Sequence, residues 1–234
     1  PKKYQVSARF PIVEWGVLLR PDLEGTPRYA SPAWLEALKA AAAKTPMNLA
    51  GHLCGERVVQ VLSGDVSFVR AMVEVGFRRF QVNATAANGV DTSRLADHVV
   101  GLQAAIAAAP DVEFILQCNE ETKPLWEAIT ADAPPPNASL LFDASCGKGV
   151  KLSTEALPAP HATVPCGYAG GIGPDNVAEI LGAVGARVGD VPVWIDMESS
   201  LRASRDGADV FSVHKCFTCL QNALPLLAKT PTSP

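Results

Sequence analysis

The chain has 234 residues, 48% hydrophobic and 19% charged, a balance that supports a sizeable buried core and excludes intrinsic disorder. Its net charge is −4, against the basic stripe of a nucleic-acid binder. No stretch reaches the ~18 consecutive apolar residues of a membrane span, so neither nucleic acid nor membrane is expected as a partner. Six cysteines (Cys54, Cys118, Cys146, Cys166, Cys216 and Cys219) follow no signal-peptide pattern and do not have the spacing of a secreted disulfide scaffold. They are expected to be reduced thiols in a cytoplasmic protein.

In chain order, residues 3–9 stand too close to the apolar run 13–19 to be a separate parallel strand, and read as the end of a helix. Run 13–19 is of strand length, and Gly25-Thr26-Pro27-Arg28-Tyr29 follows as a loop, with Arg28 on a surface turn or, as the alternative, reaching into the mouth as a second anion contact. Ser31-Pro32 opens a helix to Lys44: Ser31 caps the free amides and Pro32 suits the first turn. Strand-length runs follow at 47–54 and 77–83, and Asp91-Thr92-Ser93 opens a helix ending before Pro110. After the run at 112–118, Thr122-Lys123-Pro124 opens another helix, broken by the proline loop before the run at 138–145. Runs at 163–170 and 191–198 flank a helix opened by Pro174-Asp175-Asn176. The segment around Cys216 and Cys219 reads as a helix, and residues 229–234 as a frayed tail.

Most runs are continuously apolar, as in strands covered on both faces. Strand and helix alternate, so the expected fold is α/β, a parallel TIM (β/α)8 barrel forming one domain over residues 1–234. Seven strands are found where eight are wanted, so the first is missing or irregular. A doubly wound open sheet is the alternative.

Barrels place reactive groups at the C-terminal ends of their strands. His52, Gln81 with Asn83, Gln117 with Asn119, Asp143 and Asp196 all fall there, where an ordinary core would carry Val or Leu. An unpaired buried polar group costs about 1–3 kcal/mol, so their convergence on one mouth points to ligand binding. Alternation turns His52 and Cys54 to one side. Glu14, near the start of its strand, is expected to pair with an arginine in the floor, while Arg70, Arg78 and Arg79 read as a solvated face.

Two loops carry the sharpest signal. Tyr168-Ala169-Gly170-Gly171 ends a strand just before a helix start, where backbone amides and the helix dipole favour an anion. Ile195-Asp196-Met197-Glu198-Ser199-Ser200 ends the next strand in two hydroxyl residues. Gly170, Gly171, Ser199 and Ser200 are therefore candidate phosphate ligands, with Glu198 an opposing charge. The loop Ser145-Cys146-Gly147-Lys148-Gly149 is too short for a P-loop, but Lys148 can supply a positive charge over the mouth. Cys216 and Cys219 with His214 lack a second ligand pair, so neither metal nor cofactor is expected.

At these residues the chain resembles phosphoribosylanthranilate isomerase and the wider ribulose-phosphate-binding barrel superfamily. Leu140-Leu141-Phe142-Asp143 with Gly147-Lys148-Gly149 is similar to the family's Leu-Leu-Asp and glycine-rich loop. Ala169-Gly170-Gly171-Ile172 and Pro174-Asp175-Asn176-Val177 match its glycine motif, and Ile195-Asp196-Met197-Glu198-Ser199-Ser200 matches its last strand more loosely. The resemblance covers about the C-terminal third. It implies an Amadori-type ring opening and proton shift on a phosphorylated aminosugar, with Asp143 as general acid. The family's base is a cysteine in Lys-x-Cys-Gly on a first strand not found here, so Cys54, in Leu53-Cys54-Gly55, or His52 would take its place. Residues 13–19 and 51–55 do not match, as in a separate branch of the superfamily.

Two functions follow. The chain is an isomerase or lyase of a small sugar phosphate, with Gln81, Asn83, Gln117, Asp196 and Lys148 binding substrate, or a barrel that binds a phosphorylated ligand without chemistry.

Overall fold

The computed structural model describes residues 12–143 and 152–227. The expectations for residues 3–9, for Lys148 and its loop, and for the tail lie outside these. Seven strands form one sheet: β1 (Glu14–Leu19), β2 (Asn48–Leu53), β3 (Arg79–Val82), β4 (Glu113–Cys118), β5 (Ala138–Phe142), β6 (Cys166–Tyr168) and β7 (Val193–Ile195). Each falls within an apolar run singled out above. Their order is sequential, and every neighbouring pair is parallel. A doubly wound sheet reverses its strand order at a switch point, and this one does not.

The sheet curls. The Arg79 guanidinium, on β3, lies 4.4 Å from the ring centre of Trp194 on β7. The same group donates to Glu14 on β1 at 2.6 Å and to Glu113 on β4 at 2.8 Å. A flat sheet would hold β3 and β7 four strands apart. Among the described residues no eighth strand joins β7 to β1, so the architecture is a curled parallel sheet of barrel type, and closure is not observed.

Helices cover the outer face. α1 (Pro32–Ala42) begins as its sequence dictates, with Ser31 Oγ accepting the Trp34 amide at 3.2 Å. Such a cap contributes about 1 kcal/mol. α2 (Glu56–Leu62) and α3 (Ser67–Val73) are too short to have stood out in the sequence. α4 (Val99–Ala108) is preceded by a 3₁₀ turn, so it starts later than Asp91. A Cβ at Gly101 would run into the Leu62 carbonyl, so a glycine there lets α4 approach α2 closely. α5 (Lys123–Thr130), α6 (Val177–Val188) and α7 (Val213–Leu227) complete the layer. Leu19, Leu53, Phe80, Phe114 and Leu140 face these helices, while Ile115, Leu141 and Ala169 form a separate cluster with Trp194 inside the curl. Burial on both faces is why the runs read as continuously apolar.

Arg79 corrects one expectation: it is no part of a solvated face but the hub of the lumen floor, where Glu14 was expected to find an arginine. Its partners explain the difference, since three strands deliver opposite charges and an aromatic face to one point. Arg70 pairs with Asp111, and Arg78 donates to the Val73 and Phe77 carbonyls. A hairpin was not foreseen: β8 (Arg202–Arg205) and β9 (Ala208–Phe211) are antiparallel. Asp206 and Gly207 at its tip have φ of +53° and +82°, the left-handed pair that an Asp-Gly turn supplies. Phe211 packs edge-on against Trp15 of β1 at 6.2 Å between ring centres, and Arg202 donates to the Pro27 carbonyl at 2.8 Å. Among the described residues no helix is long and apolar enough to cross a membrane, and five cysteines are free thiols.

Candidate ligand site at the C-terminal ends of the strands

Strand register decides which polar side chains share the lumen. His52 stands beside Gln81 across β2 and β3, and a Cβ on Gly16 of β1 would come within 2.7 Å of the His52 ring. That glycine is what gives the imidazole room. Gln81 donates to Asn83 at 2.6 Å, Asn83 to the Cys54 sulfur at 3.5 Å, and Cys54 to Asn88 at 3.5 Å. Gln117 donates to Asp143 at 2.7 Å. The other end of the Gln117 amide, its Oε1, is buried and meets no donor among the described residues. Leaving it so costs about 1–3 kcal/mol, which a ligand donor in the lumen would recover. Cys54 is fully buried, and that burial pushes its thiol up to about 11.

A cleft of about 600 Å³ opens between β7 and β1, floored by Arg79 and backed by α7 through Cys216 and Cys219. Its size is that of a small-molecule site. Of the residues expected to bind or react, His52, Gln81 and Asp196 line it. Asn83, Gln117, Asp143 and Cys54 lie outside that lining, as do Gly170, Gly171, Ser199 and Ser200. The cleft brings together three of the expected residues and not the others.

The two loops expected to hold phosphate come together. Gly170 and Gly171 have φ of +127° and +62°, so both stand where a side chain would be strained. Asn176, at the start of α6, accepts the Gly173 amide at 2.8 Å and donates to the Gly171 carbonyl at 3.2 Å, fixing the loop. A Cβ on Gly173 would sit 2.5 Å from Cβ of Ser200, so the loop after β6 is pressed directly onto the 3₁₀ turn Ser199–Leu201 after β7. The amides of Gly170, Gly171, Ser199 and Ser200 donate to no acceptor among the described residues. Backbone amides near a helix start are the kind of group that can receive an anion.

Arg28 was expected on a surface turn, with a reach into the mouth as the alternative. It reaches 170 residues along the chain to this loop, donating to Glu198 at 2.9 Å, to Asp209 at 3.2 Å and to Ser199 Oγ at 3.4 Å. No local pattern announces such a partner. Glu198, expected to oppose an anion, is therefore neutralised by Arg28.

Comparison with known proteins follows this geometry. Residues 103–207 match the family model described as N-(5'phosphoribosyl)anthranilate (PRA) isomerase, a span that holds Asp143 and both loops but neither His52 nor Cys54. A phosphoribosylanthranilate isomerase from Thermus thermophilus has 19% identity and a TM-score of 0.52, over 91% of this chain and 88% of its own. A 3-hexulose-6-phosphate synthase from Salmonella typhimurium has 15% identity and a TM-score of 0.49, over 90% and 86%. The N-(5'-phosphoribosyl)anthranilate isomerase of Pyrococcus furiosus has 14% identity and a TM-score of 0.48, over 91% and 88%. The first of these, at a TM-score of 0.52, is a likeness of fold. No curated protein matches as a relative. Residues 103–207, a little under half of the chain, match that family model, and this part of the chain resembles phosphoribosylanthranilate isomerase.

Proposed function

We propose that this chain binds a small sugar phosphate through the loops after β6 and β7 and isomerises it by general acid/base catalysis. The observation that supports the binding is the meeting of Gly173 with Ser200, which presses together the two loops that carry Gly170, Gly171, Ser199 and Ser200. Gln81, Asn83, Gln117 and Asp196 would orient the sugar, with Lys148 outside the described residues as a further cation. Asp143, held by Gln117, is the proposed acid at the ring oxygen. His52 is the better proposed base than Cys54. It lines the cleft, whereas a thiol at about 11 is ionised in only about one molecule in ten thousand at neutral pH. The chemistry asks for no metal or cofactor, and the free thiols suit a cytoplasmic protein.

Titration with inorganic phosphate and a panel of sugar phosphates, followed by thermal shift, tests the binding. One sugar phosphate should stabilise the protein and the Gly171→Asp variant should lose the effect. No stabilisation at concentrations well above millimolar would leave only a turn.

A second reading, a phosphate-binding barrel without chemistry, is favoured by the high Cys54 thiol. Asp143→Asn separates the two: turnover lost with binding kept supports catalysis, and unchanged turnover removes Asp143 from the mechanism.

A further inference from the structure

Two arginines and two carboxylates beside the Ser199 turn pair with one another. Arg28 bridges Glu198 and Asp209, and Arg202 holds both oxygens of Asp209 at 2.8 Å. Lys215 is turned away, donating to the Arg202 carbonyl at 2.5 Å. Arg28 reaches Ser199 Oγ with the same nitrogen that donates to Glu198.

We propose that Glu198 is a built-in competitor for the anion: its carboxylate holds the Arg28 Nη1 position that a phosphate at Ser199 and Ser200 would otherwise share, and so lowers the site's affinity for phosphate. The inference rests on the phosphate reading above. Its basis is electrostatic. A phosphate entering beside Ser199 meets a carboxylate on the preceding residue, and it gains Arg28 only by displacing that carboxylate. Both partners are partly exposed, with 38% and 47% of their side chains open, so the ion pair is weak enough to be exchanged. Bare phosphate therefore binds weakly, and a ligand must contribute contacts deeper in the lumen.

Calorimetric titration with inorganic phosphate tests this on four forms: the natural chain, Glu198→Gln, Arg28→Met and the double variant, with Gly171→Asp as the control for the site itself. Glu198→Gln should bind phosphate roughly three- to tenfold more tightly, and Glu198→Ala should repeat the gain if the amide packs poorly. The gain should largely vanish in the Arg28→Met background. Equal or weaker binding by both Glu198 variants, while the natural chain binds phosphate and Gly171→Asp does not, overturns the competitor and leaves the phosphate site standing. A gain that survives loss of Arg28 overturns the shared-position argument. If no form binds phosphate, the phosphate reading and this inference fall together.

Discussion

Replacing Gly173 by alanine probes the contact on which the binding site depends. The new Cβ would lie 2.5 Å from Cβ of Ser200 and 3.2 Å from its Oγ, closer than carbon atoms pack, and Ser200 sits on a short turn that cannot rotate away. One loop must therefore retreat. Overpacking of this kind costs about 1–3 kcal/mol, and because both loops are at the surface end of the sheet the lower half of that range is expected. Binding should suffer more than stability. A shift of an ångström between the two sets of amides forfeits the shared contacts, so phosphate affinity should fall at least about tenfold, or about 1.4 kcal/mol. Urea unfolding and phosphate titration measure the two effects separately. Ser200→Gly removes the clashing atom, so the pair Gly173→Ala with Ser200→Gly should recover most of the stability and part of the affinity. An alanine variant as stable as the natural chain, or one that Ser200→Gly does not rescue, would refute the apposition of the loops.

Three further outcomes follow from the geometry. Cys54 should resist maleimide labelling at pH 7 and react only as the pH approaches its value of about 11. Its pKa is raised above the ordinary 9.0, so the stability of its neutral form is complete below pH 9 and lost between about pH 9 and 11, which alkaline unfolding of a Cys54→Ala variant beside the natural chain would show. Arg79→Met should destabilise by about 2–3 kcal/mol, less than the ~3–5 kcal/mol of a fully buried pair, because Arg79, Glu14 and Glu113 each keep 20–32% of their side chains exposed. Adding Glu14→Gln and Glu113→Gln should return most of that loss in urea unfolding, and no return would mean that Arg79 acts through packing on Trp194 alone. His52→Gln should remove turnover while leaving phosphate affinity within about twofold, and retained turnover would take the base away from His52.

The sequence by itself determined the seven strands, their parallel order and the helix starts at Ser31, Thr122 and Asn176. Each of these depends on neighbours in the chain: a continuous apolar run for a two-faced strand, a serine before a proline for the cap at Ser31, a proline in the first turn or just before it at Thr122 and Asn176. It also located the two loops that meet at Gly173 and Ser200, because glycine pairs and serine pairs at strand ends are local patterns. The hairpin had a local signal too, Asp206-Gly207, but its strands are short and polar and did not register as apolar runs. Partnerships were decided only by the tertiary structure. Arg79 looked like a surface charge until the curl brought Glu14, Glu113 and Trp194 to it, and Arg28 looked like a turn residue until it met Glu198 and Asp209. The high Cys54 thiol likewise comes from burial among residues on other strands. Side-chain charge and hydrogen-bond satisfaction are set by register and curvature, which couple residues more than a hundred positions apart, and no local pattern records them.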